Sequence, residues 1–309
     1  MDTFNTFFSG SYGTFDGNNV SIPFVDNQKM FINTCVFHLL VAQVGSVIYS
    51  TKKDTVTVIT ACYFKSCIGN DQTNDGGAIM INSPTSSLAI SKSCAEGCLC
   101  FQRWGQFMYY YTSNNFKVQH MTICGITPID SGQRCAFHFY YGIMQGQYIN
   151  ISNNLAYSEV AFRLRGTNLT KISYSSFVNN NATYGQIFHY TSGDKSELSF
   201  CNIIRNYNQL DNNGIFIAYS SEPYIRYCII SQFTKSNLFY SVTSTITVQH
   251  CLILGSYSIT GTVSTTNISL PSSSYSFTLI NKCAFPTKEP TTYSNGSLQK
   301  ILIAFVVLI

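Results

Sequence analysis

Ile59-Thr60-Ala61-Cys62-Tyr63-Phe64 reads as aliphatic-x-x-small-x-apolar, and this six-residue pattern recurs ten times along the 309-residue chain. Upstream it is Ile32-x-x-Cys35-x-Phe37. Downstream it continues at Ile90/Ser93/Ala95, Val118/Met121/Ile123, Ile149/Ser152, Ile172/Ser175/Phe177, Leu198/Cys201/Ile203, Ile225/Cys228/Ile230, Val248/Cys251/Ile253 and Ile280/Cys283/Phe285. The fourth position returns every 23 to 32 residues, about 28 on average, a period at which stacked repeats are the first hypothesis. The Leu and Asn sites of leucine-rich repeats and the helical periodicity of ankyrin or tetratricopeptide repeats are missing. The segments are rich in Ile, Val, Tyr, Phe and Thr, which favour strands.

Stacked parallel coils explain the pattern. Cys62 and Phe64 share strand parity and both point inward; a corner between Ile59 and Cys62 turns the aliphatic inward too. Equivalent residues then stack about 4.8 Å apart, one coil above the next. The fifth coil fits two registers, Ile149 with Ser152 or Ile151 with Asn154 and Ala156, and its register near residues 149–156 stays open. A second strand per coil opens on glycine, as in Gly45-Ser46-Val47-Ile48-Tyr49, Gly105-Gln106-Phe107-Met108-Tyr109 and Gly214-Ile215-Phe216-Ile217, and a glycine there marks a bend. Asn-rich stretches such as Asn179-Asn180-Asn181 and Asn206-Tyr207-Asn208 read as turns. The expected fold is all-β, a parallel β-helix solenoid of about ten coils, right-handed by the resemblance given next. We expect an N-terminal cap or incomplete first coil over 1–29, the β-helix over 30–285, a stalk-like linker over 286–300 and an apolar segment over 301–309.

Over roughly residues 30 to 285 the coils resemble the right-handed parallel β-helix, or pectin-lyase-like, superfamily. In style, with Cys-, Tyr- and Asn-rich coils followed by a Thr/Pro stalk and an apolar end, the chain resembles the cell-surface β-helix proteins of trichomonad parasites. The resemblance implies the fold and leaves activity open, because such folds host both enzymes and non-enzymes.

Charged residues make up only 10% of the chain, with a net charge of +4, against a usual charged fraction of about 25%. Lys and Arg are scattered, and no basic stripe points to nucleic acid. Sequons occur at Asn19, Asn150, Asn168, Asn181, Asn267 and Asn295. Asn150 falls within a strand, which leaves the other five as glycosylation candidates. The run Ile301 to Ile309 is nine apolar residues, against the about 20 of a spanning helix. It reads as the start of a membrane anchor, as a lipid-anchor signal with too short a spacer, or as a last strand or capping helix. Met1-Asp2-Thr3-Phe4-Asn5 lacks the basic start and apolar run of a signal peptide, which suits truncation at both termini. Anchoring at the cell surface is the expectation.

Six of the twelve cysteines (Cys35, Cys62, Cys201, Cys228, Cys251 and Cys283) occupy the inward column and are expected to be buried thiols. The group Cys94, Cys98, Cys100, Cys124 and Cys135 leaves room for one or two disulfides near one loop. Its Cys-x-x-x-Cys-x-Cys spacing is not that of a zinc site, and His120 would have to complete one. Sugar lyases and hydrolases need clustered carboxylates. The 14 Asp and Glu offer only single residues a coil apart, as at Asp194/Glu222 and Asp130/Glu159, without a second carboxylate beside either pair. Arg163-Leu164-Arg165 is a candidate for a lyase base arginine, but no Asp cluster accompanies it. His120 and His250 hold equivalent outward positions and read as surface residues. No cofactor or metal is called for. Aromatics carry the binding hypothesis: Trp104, Tyr109, Tyr110, Tyr111, Tyr140 and Tyr141 fall in one third of the chain, with Tyr109 sharing the parity of Phe107. These readings give a non-catalytic surface structural or adhesive protein that binds extracellular glycans or proteins. The alternative is a polysaccharide lyase or glycoside hydrolase of the same fold.

Overall fold

The computed structural model describes residues 13–14, 29–33, 35–70, 75–101, 104–127, 135–183, 187–192, 195–208, 214–231 and 237–268. Among them the chain is all-β, without a helix, and every strand pairing is parallel. The fold is a parallel β-solenoid. One turn illustrates the plan: Val56–Thr60 forms the first side, Tyr63–Lys65 the second, Ile68–Gly69 a short strand, and Ile79–Asn82 the third side. About seven turns follow this plan among the described residues, somewhat fewer than the ten expected, and the tenth repeat at Ile280/Cys283/Phe285 lies outside the described residues. The last rungs, Asn237–Gln249 and Ser258–Thr266, run the third and first sides together as long strands. The proposed linker and apolar tail lie outside the described residues, as does all of the N-terminal segment except the strand Gly13–Thr14 and Lys29.

The column of first positions is in register: Ile32, Ile59, Ile90, Val118, Gly146, Ile172, Leu198, Ile225 and Val248 are successive partners. All except Gly146 are buried core side chains. The sixth positions stack likewise as Phe37, Phe64, Ala95, Ile123, Ile151, Phe177, Ile203, Ile230 and Ile253. The inferred corner is a single residue in the left-handed region: Ala61, Lys92, His120, Tyr148, Tyr174, Phe200, Tyr227 and His250 have φ between 47° and 54°. That residue reverses strand parity, so positions one and four both face inward.

The fourth position satisfies backbone groups at this corner, which explains its preference for Cys and Ser. Cys62 Sγ donates to the Ile32 and Thr60 carbonyls (3.7 and 3.2 Å), and the Cys62 N–H donates to Ser93 Oγ at 3.1 Å. Cys201, Cys228 and Cys251 repeat the thiol bonds on Ile172, Leu198 and Ile225. Cys35, Cys62, Cys201, Cys228 and Cys251 are buried thiols outside any disulfide; Cys283 lies outside the described residues. The off-column cysteines do not bridge one another as expected: Cys98, Cys100, Cys124 and Cys135 stand outside any disulfide, whereas Cys94 is disulfide-bonded. Cys98 belongs instead to a second-corner column with Cys67, and its thiol donates to the Phe64 carbonyl at 3.6 Å.

Both registers offered for the fifth coil are wrong. Met121 pairs with Ile149 and Ile123 with Ile151, so Gly146 holds the aliphatic site and Ile149 the small one. The two exchange volume: a Cβ on Gly146 would lie 2.7 Å from Ile149 Cδ1. Gly146→Ile alone is expected to overpack this turn and cost about 1–3 kcal/mol. Adding Ile149→Ser restores the consensus and recovers most of that loss, as urea unfolding of the single and double variants measures.

A second corner carries an internal polar column. Asn154, Asn180 and Asn206 are buried, with Asn154 Nδ2 donating to Asn180 Oδ1 and Asn180 Nδ2 to Asn206 Oδ1, each at 3.0 Å. Asn180 and Asn206 thus lie at the turns the sequence suggested, with their side chains in the core. On the third side Phe137, Phe162, Phe188, Phe216 and Phe239 form an internal ring stack, with centroids 5.0 to 6.3 Å apart.

Candidate functional site

Two outer surfaces concentrate the chemistry. The first holds the predicted aromatic patch and divides it. Tyr110 points into the core, stacked on Phe139 with centroids at 5.5 Å, and its hydroxyl donates to the Ser86 carbonyl at 2.9 Å. Burial pushes that hydroxyl far above the ordinary tyrosine range. Tyr109 is buried as well, as its parity with Phe107 suggested, and its ring meets His138 at 5.3 Å and Tyr140 at 5.9 Å. Trp104 lies 4.9 Å from His138. Tyr111, Tyr140 and Tyr141 form one further cluster, of which Tyr141 is the most exposed at 45%.

Beneath this belt sits a charge cluster that single-residue reading missed. Register places Tyr109, His138, Arg163 and His189 on consecutive rungs of the third side. Glu159, 2% exposed, accepts from Arg163 Nη1 at 2.9 Å and lies 2.8 Å from His189 Nδ1, while Ser158 Oγ donates to its other oxygen at 2.6 Å. Arg163 also lies over Trp104, 3.7 Å from the ring centroid, a cation–π contact. Burial pushes the Glu159 carboxyl up, but the His189 hydrogen bond and the Arg163 charge outweigh it and hold the group below the usual carboxylate range. Burial, reinforced by Arg163, holds His138 well below the histidine range, and neither of its ring nitrogens has a hydrogen-bond partner. A carboxylate so fully paired is a poor proton carrier. Among the described residues no group of three or more His, Cys, Asp or Glu could hold a metal ion.

The second surface is an outer ridge at the first corner. His120, Tyr148, Tyr174, Phe200, Tyr227 and His250, all in the left-handed region, stack in that order with centroids at 4.7, 5.6, 5.1, 4.9 and 5.1 Å. Interplanar angles run from 6° to 20°, so the ring faces cover one another and edges and hydroxyls meet solvent. Tyr148 and Tyr174 are 46% and 37% exposed. The two histidines read as ordinary surface residues are the ends of this stack. The signal was the residue just before each fourth position, aromatic in six successive coils. Each left-handed bulky residue costs about 1–2 kcal/mol and each ring pair returns about 0.5–1.5 kcal/mol, so the ridge offsets the strain of its own corner. Tyr174→Ala removes two ring contacts and keeps the strained backbone; Tyr174→Gly removes the same contacts and relieves it. The alanine variant is expected to be less stable than the glycine variant by about 1 kcal/mol in urea unfolding. Equal stability would mean the corner is unstrained.

Of the glycosylation candidates, Asn168 and Asn267 are exposed and Asn181 is half-buried, while Asn150 is buried within its strand. Asn19 and Asn295 lie outside the described residues. No helix among the described residues is long and apolar enough to cross a membrane. No family model matches the chain, and no curated protein or solved structure matches it either.

Proposed function

We propose that the chain is a non-catalytic structural or adhesive β-solenoid of the cell surface, akin in style to the pectin-lyase-like surface proteins it resembles. It presents outer aromatic faces to extracellular glycans or proteins. The observation that carries this reading is the six-residue aromatic ridge, an ordered exposed surface built at the cost of left-handed backbone in every coil it crosses. Membrane attachment through Ile301 to Ile309, glycosylation at the loop sequons and the exclusion of nucleic acid as a partner belong to the same proposal. The test is attachment of the purified chain to cell monolayers and matrix-coated surfaces, beside a Tyr148→Ser/Tyr174→Ser variant checked for folding. Loss of attachment by the variant supports the reading; equal attachment removes the ridge from it.

The enzymatic alternative is favoured by one observation, the Glu159–His189–Arg163 cluster. Release of reducing ends or unsaturated sugars from pectin-like polymers, abolished by Glu159→Gln, would establish it.

A further inference from the structure

Beside the aromatic ridge runs a groove of about 280 Å³ on the outer face of the first side, lined among others by Lys117, Gln119, Gln145, Gln147, Lys171 and Ser173. Gln119, Gln147 and Ser173 each immediately precede a ridge residue, His120, Tyr148 and Tyr174, so the groove lies alongside the ridge. We propose that this groove binds an extended acidic glycan lying along the solenoid axis, with its negative charges on alternate sugars.

Three observations specify that ligand. The lining is dominated by amides and hydroxyls, which hydrogen-bond a polyhydroxylated chain without demanding charge. Its cations are spaced: Lys117 pairs with Gln145 and Gln145 with Lys171, so the two lysines stand two rungs, or about 9.6 Å, apart at the strand spacing of about 4.8 Å. A polymer with a carboxylate on every second sugar presents charge at a matching interval; one with a carboxylate on every sugar leaves alternate charges opposite Gln145. Finally, the acidic group that lines the groove is already neutralised, because Glu197 accepts from Arg226 Nε and Nη2 at 3.0 and 2.7 Å. Lys92, next to His120 in the ridge column and felt electrostatically by it, extends the positive character toward one end.

Other polymers fit less well. Single-stranded nucleic acid needs open ring faces on which bases stack, and here the ring faces are covered by neighbouring rings. Peptide addition to a sheet needs a free strand edge, and this face has its strands paired on both sides. The inference deepens the adhesive reading by naming a ligand class, and its test is separable from the attachment assay.

Titration of the purified chain with hyaluronan oligosaccharides, whose uronates alternate with neutral sugars, is expected to give saturable binding that weakens with salt. Lys117→Gln/Lys171→Gln should weaken it at least tenfold with the thermal midpoint unchanged, whereas Lys195→Gln, outside the groove, should leave it intact. The proposal is overturned if hyaluronan does not bind, or if neutral dextran, polygalacturonate or a single-stranded oligonucleotide binds as tightly. An unaffected double variant would overturn it as well. Cell attachment without hyaluronan binding would leave the adhesive reading standing and this ligand class refuted; the reverse result would separate them the other way.

Discussion

Asn180→Leu is expected to destabilise the protein by about 3 kcal/mol or more, although leucine matches asparagine in shape and the site is buried. Asn180 Oδ1 accepts from both the backbone N–H and the side-chain amide of Asn154, and Asn180 Nδ2 donates to the Ile151 carbonyl at 2.8 Å and to Asn206 Oδ1. Asn154 Nδ2 keeps a bond to the Ile123 carbonyl, and Asn206 Oδ1 keeps one from the Asn180 N–H. The Asn154 N–H and the Ile151 carbonyl lose their side-chain partners, at about 1–3 kcal/mol for each buried group left unsatisfied. Asn181→Ala, one residue along and half-buried, should stay within about 0.5 kcal/mol. Urea unfolding of the pair, at unchanged m-value, reads the difference. If both substitutions cost the same, the asparagines are not a column.

Glu159→Gln carries the second large effect, about 3–5 kcal/mol, because it removes the negative member of a buried pair and leaves Arg163 without it. The same cluster makes the protein acid-labile. With its folded-state titration depressed, buried His138 stays neutral where an unfolded histidine is protonated. Stability is therefore full above about pH 6.5 and falls below it, by up to about 1.4 kcal/mol per pH unit. The depressed Glu159 adds stability that is present above the ordinary carboxylate range and is lost as pH falls through its folded value. Trp104, the only tryptophan in the chain, packs on both His138 and Arg163, so its fluorescence reports the transition. His138→Phe is expected to flatten the limb between pH 5 and 6.5 while leaving the lower one. A pH profile identical to that of the parent protein would contradict this assignment.

The solenoid was legible because its core columns are sequence columns: Ile59, Cys62 and Phe64 repeat at fixed offsets whatever the loops do. Gly146 and Ile149 broke that reading because two neighbours exchanged volume, which only the shape of the core reveals. The inward placement of Asn180 and Asn206 at their turns was not legible for a different reason. A buried asparagine in a column and a solvent-facing asparagine in a turn have the same local sequence, and only the recurrence at 154, 180 and 206 separates them. The candidate site was half legible. Trp104, Tyr109 and Tyr140 do come together, but Tyr110 is core. Glu159, His138 and His189 meet across three turns, so neither their spacing nor a motif announced them. His120 and His250 were seen as equivalent, yet what joins them is the aromatic residue at the same corner of every turn between.

The central claim is that the repeat folds into stacked coils with its fourth position sealed inside. Native-state thiol labelling, resolved by mass spectrometry, tests it most directly. Cys62, Cys201, Cys228 and Cys251, buried and free, should remain unmodified until denaturant unfolds the chain, while half-buried Cys124 reacts first. Rapid modification of those four in native buffer would contradict the stacked-coil account.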